Sequence, residues 1–290
     1  MVRIYPKYHL DNGIFQNLSP QEIPINFLWG DKDFLFFSSA REGIHYIANY
    51  LKLKREDEVF ISTSSDMNYV AACVSATLFN YAKVSRVLTE HTKLIYVIHE
   101  LGIPNEQIFC LLSEAKQRDI PLLEDCAHGI DSYIHGHRIG TLGDYALYSL
   151  PKHLPIDFGG ILVGEHLPRN LPPYNSKLAY IVEQKYLEYL PYLLVLSDLR
   201  REQYAYLKNT LSHISIAFEY KIGSYAPYTL NLYTEKASEL YEQLSGKIVE
   251  CLPVYIPNWF CIPTQPLMND QDRMSIINSV CSIVKKSENL

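Results

Sequence analysis

Three short stretches of this 290-residue chain carry side chains able to act as nucleophile, acid and anion ligand. The first, Ser149-Leu150-Pro151-Lys152-His153 followed by Gly159-Gly160, sets a lysine among apolar residues and prolines just after a predicted strand. Desolvation or a neighbouring cation lowers the pKa of such an amine, which can then form Schiff bases with carbonyl compounds. The second, Glu124-Asp125, ends an apolar run, where a carboxylate can serve a ligand, a salt bridge or a helix cap. The third, Ser38-Ser39-Ala40-Arg41, lies between a predicted strand and a predicted helix. Free backbone N–H groups and serine hydroxyls at such a junction suit a phosphate. Taken singly, each stretch has a plainer reading: a surface lysine, a structural acid, an N-cap serine. Together they matter more, because ligands of an open parallel sheet gather outside the carboxyl ends of its strands.

The elements that would position them follow from periodicity. Residues 1–33 carry turn signals at Asp11-Asn12-Gly13 and Ser19-Pro20 and read as a loosely structured lead-in. Phe34 to Phe37 is a strand, then Ile44, Ile47, Ala48 and Leu51 mark a helix. Val59 to Ile61 is a second strand, Tyr69 to Phe79 an apolar helix, and Leu94 to Ile98 a third strand. A helix from about Asn105 to Arg118 leads into a fourth strand, Ile120 to Leu123. Strands alternating with helices predict an α/β fold with a parallel sheet covered on both faces. Tyr145 to Leu150 and Gly160 to Gly164 follow as strands, and residues 175–212 as a long helical region. Then come a strand (Tyr228 to Tyr233), a helix (Glu235 to Leu244), a Pro-rich stretch and a last helix (Asp270 to Lys286). The prolines at 168, 172 and 173 mark a boundary, giving a lead-in over 1–33, a large domain over 34–168 and a helical connection with a small domain over 169–290.

Composition excludes several classes of function. A formal charge of −6 supplies no basic field for nucleic acid or an anionic membrane. No apolar run is long enough to span a bilayer. The start, MVRIYPKYHLDNGIF, lacks a signal-peptide pattern, so a cytoplasmic location is expected. The six cysteines contain no CxxC pair, so neither a metal site nor a disulfide framework is expected.

The stretch from Leu123 to Gly164, LEDCAHGIDSYIHGHRIGTLGDYALYSLPKHLPIDFGGILVG, resembles the signature of the DegT/DnrJ/StrS sugar aminotransferases. Glu124-Asp125-Cys126-Ala127-His128 is similar to that family's E-D-x-A-[QH]. Tyr133, Gly136, Gly140, Gly143 and Asp144 follow its glycine pattern, and Ser149, Lys152 and Gly159-Gly160 its serine, lysine and Gly-Gly pair. Upstream, Ser39-Ala40 resembles its phosphate turn, Asp57-Glu58-Val59 its G-D-E-V and His99 to Gly102 its H-x-x-G. The resemblance covers about residues 36–164. It implies the fold type I of pyridoxal-phosphate (PLP) enzymes, aspartate-aminotransferase-like, with a mostly parallel sheet and a smaller C-terminal α+β domain.

The cofactor implied is pyridoxal 5'-phosphate. Lys152 would hold it and later move a proton, and Asp125 would pair with the pyridine nitrogen. His128 would contact the ring's phenolic oxygen, Ser149, Ser39 and Ala40 the phosphate, and Tyr69 would stack on the ring. On residue type alone, His128 also reads as a loop cap and Tyr69 as a core residue of its helix. The substrates implied are a keto-sugar, nucleotide-linked, and an amino-acid donor such as glutamate, handled by a homodimer. The chain departs from the pattern in its shortness, in the missing glycine after Ser39 and in lacking the G-Y-N-Y-R dimer motif, for which Asn175 is the nearest candidate. Two further readings stay open: another fold-type-I reaction, and a shortened, inactive relative acting as a binding or regulatory protein. Lys152 stands seven residues before Gly159, in register, which argues against the dehydratase variants that carry histidine there.

Overall fold

The computed structural model describes residues 1–66, 70–167, 173, 175–219, 224–251 and 256–285. Its central sheet is built from β1 (Asp33–Phe37), β2 (Glu58–Thr63), β3 (Lys83–Ser85), β4 (Thr92–Ile98), β5 (Leu122–Asp125), β8 (Tyr145–Ser149) and β9 (Gly160–Gly164). Between β5 and β8 lies a small hairpin of β6 (Tyr133–Ile134) and β7 (His137–Arg138). The strand order is β1-β9-β8-β5-β4-β2-β3. Strands β8, β5, β4, β2 and β3 pair in parallel, and β9 runs antiparallel to both β8 and β1.

Alternation along each strand sends side chains to two cores. Leu94, Tyr96 and Ile98 of β4 join Val59 and Ile61 of β2 under helices α1 (Ala40–Tyr50) and α2 (Ala72–Leu78). Ile95 and Val97 face the other way, with Phe60, against α3 (Ile108–Arg118) and α4 (Ser176–Tyr189). Both faces are therefore covered, which is why these strands read as unbroken apolar runs. Beyond α4 come α5 (Leu193–Thr210), a three-stranded antiparallel sheet of β10 (Ser215–Ile216), β11 (Thr229–Tyr233) and β12 (Trp259–Pro263), and helices α6 (Ala237–Leu244) and α7 (Asp270–Lys285). These bury a third cluster around Leu207, Leu232, Leu240, Phe260 and Ile276. No helix among the described residues is long and apolar enough to cross a membrane.

The structure departs from the sequence expectations in five places. The lead-in is packed: Val2, Ile4, Leu28 and Trp29 are buried, and Val2 pairs with Val249. Its 3-10 turns at Pro6–Asn12 and Phe15–Asn17 have no period that a helix or strand pattern would detect. The helical region over 175–212 is broken at Leu190–Tyr192, where Pro191 cannot donate a backbone bond. Strand β3 is only three residues long and escapes pattern reading, and β12 lies inside the stretch taken as Pro-rich. The helix expected from Tyr69 is seen as α2, starting at Ala72, and Tyr69 itself lies outside the described residues.

Because β9 alone is reversed, its first residue meets the carboxyl ends of the other strands. Ser149 of β8 and Phe37 of β1 both pair with Gly160, and Ser39 bridges to Gly159. One edge of the sheet thus collects the residues after β1, β5 and β8.

Candidate active site

A cavity of about 540 Å³ opens at this edge, within the range that holds a small cofactor. Ser39, Ala40, Asp125, His128, Ser149 and Lys152 all line it. Six of the seven residues expected at the site are thus brought together, and the seventh, Tyr69, lies outside the described residues. Tyr5, Phe218, Tyr228 and Trp259 are among the other residues that line it.

Asp125 ends β5 and is 4% exposed. Its Oδ2 accepts a hydrogen bond from the Tyr96 hydroxyl at 2.8 Å, and its Oδ1 accepts from the Ala127 N–H at 2.9 Å. Burial, and then the charge of Asp125, push the Tyr96 phenol well above its ordinary value, so it stays a donor. The two bonds fix the carboxylate in one orientation.

Lys152 closes a 3-10 turn (Leu150–Lys152) directly after β8, with Pro151 inside the turn. Its Nζ lies 2.9 Å from His128 Nε2. Burial lowers the lysine pKa, with the charge of Asp125 acting in the opposite sense. Burial also drives His128 well below its ordinary value, helped by the nearby Lys152, by competition for protons with His153 and by the charge of Arg200. A neutral imidazole with a free Nε2 lone pair accepts from the amine, which leaves the ring proton on Nδ1. The His128 ring packs against Tyr228, with centroids 4.8 Å apart.

At the other end, Ser39 caps α1, its hydroxyl accepting from the Glu42 N–H at 3.2 Å. Glu42 does not close the box on the cap residue; its carboxylate takes the Ser38 N–H and hydroxyl instead, at 2.9 Å and 2.6 Å. The N-cap reading and the anion reading of Ser39 therefore coexist, since the capped helix start faces the cavity. Two glycines allow the arrangement. Gly159 adopts φ +130°, and a Cβ on Gly160 would stand 2.5 Å from the Ala40 nitrogen. Only a glycine lets β9 run this close beneath the helix start.

Glu124, fully buried next to Asp125, faces away from the cavity chemistry. It accepts from the N–H groups of Gly140, Leu142 and Gly143 at 2.7, 2.8 and 2.7 Å, and His99 Nε2 donates to it at 3.1 Å. Burial raises its pKa, but these bonds outweigh that and hold it below the ordinary carboxylate value. The glycine-spaced loop thus serves to tie the chain after β5 back to that strand. His99, Glu124 and Cys126 lie close enough to suggest a metal, yet the two nitrogens of His99 and the oxygens of Glu124 are already used, by the His99–Glu124 bond, the Asn105 N–H and three further backbone donors.

Sequence reasoning missed Tyr96, whose strand alternation marks it as core without revealing its hydroxyl partner. It also missed Tyr228 and Trp259, which come from the distant second sheet and carry no local signal.

Residues 28–165 match the sequence model of the DegT/DnrJ/EryC1/StrS aminotransferase family. The chain is 25% identical over 166 residues to the uncharacterized protein MJ1066 of Methanocaldococcus jannaschii, covering 52% of this chain and 42% of that one. It is 23% identical over 275 residues to the GDP-perosamine synthase of Escherichia coli O157:H7, covering 81% of this chain and 74% of that one. Among solved structures, Spr1654 of Streptococcus pneumoniae in its PLP form superposes with a TM-score of 0.73 at 13% identity, over 92% of this chain and 93% of that one. The aminotransferase TlmJ of Streptoalloteichus hindustanus gives 0.68 at 18%, over 88% and 86%. At such identities the likeness fixes the fold, which is the PLP-dependent transferase fold type I.

Proposed function

With residues 28–165 belonging to the DegT/DnrJ/EryC1/StrS aminotransferase family, we propose that this chain binds PLP through Lys152 and transfers an amino group from an amino acid to a keto-sugar. The observation that carries the reading is the meeting, in one cavity, of a half-buried amine of lowered pKa, a fixed carboxylate and a capped helix start. That donor set fits the group: an aldehyde needs the amine, a pyridine nitrogen the acid and a phosphate the helix start. Bound there, PLP supplies an electron sink for the carbon that gains or loses the amine.

The protein's own residues supply the rest. Lys152 would hold the cofactor through its amine and, when that amine is free, would move a proton at the reacting carbon. His128 holds the lysine nitrogen within reach by accepting its hydrogen bond. Asp125, itself held by Tyr96 and the Ala127 N–H, would offer its negative charge to the pyridine nitrogen and favour its protonation. Ser39, Ala40 and Ser149 would hold the phosphate. In this division of labour residues 34–168 carry the cofactor, while residues 169–290 add Phe218, Tyr228 and Trp259 to the cavity wall. The keto-sugar, its nucleotide linkage and a homodimeric state are proposed from the kinship with GDP-perosamine synthase and the family, as is a role in polysaccharide or secondary-metabolite sugar synthesis.

Purified protein loaded with PLP and mixed with glutamate tests the reaction. The yellow band should shift as 2-oxoglutarate is released. A protein that keeps its colour and releases no 2-oxo acid from any common amino acid contradicts amino transfer while leaving cofactor binding intact.

A further inference from the structure

Arg200 sits on α5, far in sequence from the cofactor motifs, yet it is 2% exposed and lies against the candidate site. Among the described residues no carboxylate pairs with it. Its guanidinium donates to the backbone carbonyl of Lys152 at 2.9 Å and stacks over the Tyr228 ring, 5.0 Å from the centroid. The same Tyr228 ring packs on His128, and His128 in turn takes the Lys152 amine. Next to Lys152, His153 Nε2 donates to the Ala127 carbonyl at 3.1 Å, so the loop is pinned to the segment after β5 as well.

From this geometry we infer that Arg200 is a positioning residue for Lys152: it grips the lysine's backbone directly and its amine indirectly, through Tyr228 and His128. A lysine that must swing between cofactor and substrate carbon needs a fixed base for that swing. The fork of an arginine can bond a carbonyl and stack on an aromatic face at once, which a lysine cannot reproduce. Burying a cation without an acid is costly, and here the cost has a use. The unpaired positive charge disfavours protonation of the nearby imidazoles, in the same direction as burial. The other groups around the pair are Asp125 from β5, His153 beside Lys152, Cys73 from α2, Tyr228 before β11, and, farther along the cavity, Tyr5, Arg41 and Glu100.

The inference rests on Lys152 as the cofactor's anchor, but its two arms can fail separately. In protein without cofactor, histidine NMR follows the His128 titration in wild type, Arg200→Met and Arg200→Lys, and far-UV circular dichroism reports folding. Arg200→Met should raise the His128 titration only in part, because burial and Lys152 still hold it below the ordinary imidazole range, and Arg200→Lys, which keeps the charge, should leave it where it is. Both variants should lose PLP affinity by about tenfold or more, because both lose the fork that fixes the lysine backbone. If Arg200→Met does not fold, Arg200→Lys and Tyr228→Leu decide: PLP affinity within twofold of wild type in both would overturn the grip. A folded Arg200→Met with unchanged His128 titration and unchanged PLP affinity would overturn it too. Wild-type protein that takes no PLP on Lys152 sinks the functional reading alone, while the His128 titration still judges the role of Arg200.

Discussion

At the scale of residues, the site depends on how few polar contacts orient each group. Asp125 is held by one phenol and one backbone N–H, both donors, and an amide in its place could still accept from one of them. Asp125→Asn should therefore fold and bind PLP, but removing the negative charge facing the ring should slow amino transfer by about a hundredfold or more. Single-turnover rates with glutamate, compared at saturating PLP, check this; a rate within threefold of wild type would remove Asp125 from the chemistry. The neighbouring acid behaves differently. Glu124 is spent on four structural bonds, so adjacent residues of one motif divide into a group for the ligand and a group for the loop.

At the scale of elements, the close approach of β9 to the start of α1 is the decisive feature. Gly160→Ala would put a methyl 2.5 Å from the Ala40 nitrogen and 2.7 Å from its Cα, both backbone atoms that cannot rotate away. The helix start must then move, at a cost of about 1–3 kcal/mol in stability, and PLP affinity should fall with it. Denaturant midpoints and PLP titrations of the variant measure both, and an alanine accommodated with neither change would contradict the assignment of this junction to the phosphate. The strands that form the edge were legible because two covered faces make continuous apolar runs, as in β2, β4 and β5. The Gly159-Gly160 pair was legible as a motif, but not the reason for it, which needs the antiparallel return of β9. Where the chain lacked a period, as in the lead-in or in the three residues of β3, nothing local announced the element. The walls contributed by Phe218, Tyr228 and Trp259 were illegible for a different reason: they reach the cavity only through the packing of the second sheet.

At the scale of the whole molecule, burial of the site leaves a mark on stability. His128 and His153 are both driven well below the ordinary value of 6.5, chiefly by burial. Below that pH the unfolded chain binds protons that the native chain refuses, so stability falls as the solution is acidified. Each histidine can contribute up to about 1.4 kcal/mol per pH unit over the window between 6.5 and its native value. Melting temperatures should thus drop between pH 6.5 and 5.5, and the drop should be smaller in His153→Asn; a flat profile would contradict neutral burial of these rings. The carboxyl of Glu124, held low in the fold, adds its loss only in more acidic solution, below its ordinary value of 4.5.

The proposed function requires a covalent link between the amine at position 152 and the cofactor aldehyde. Reducing PLP-loaded protein with borohydride and mapping its peptides by mass spectrometry tests it most directly. One labelled lysine, Lys152, is expected, with no label in Lys152→Ala; a label on another lysine, or equal labelling of the alanine variant, would rule the link out.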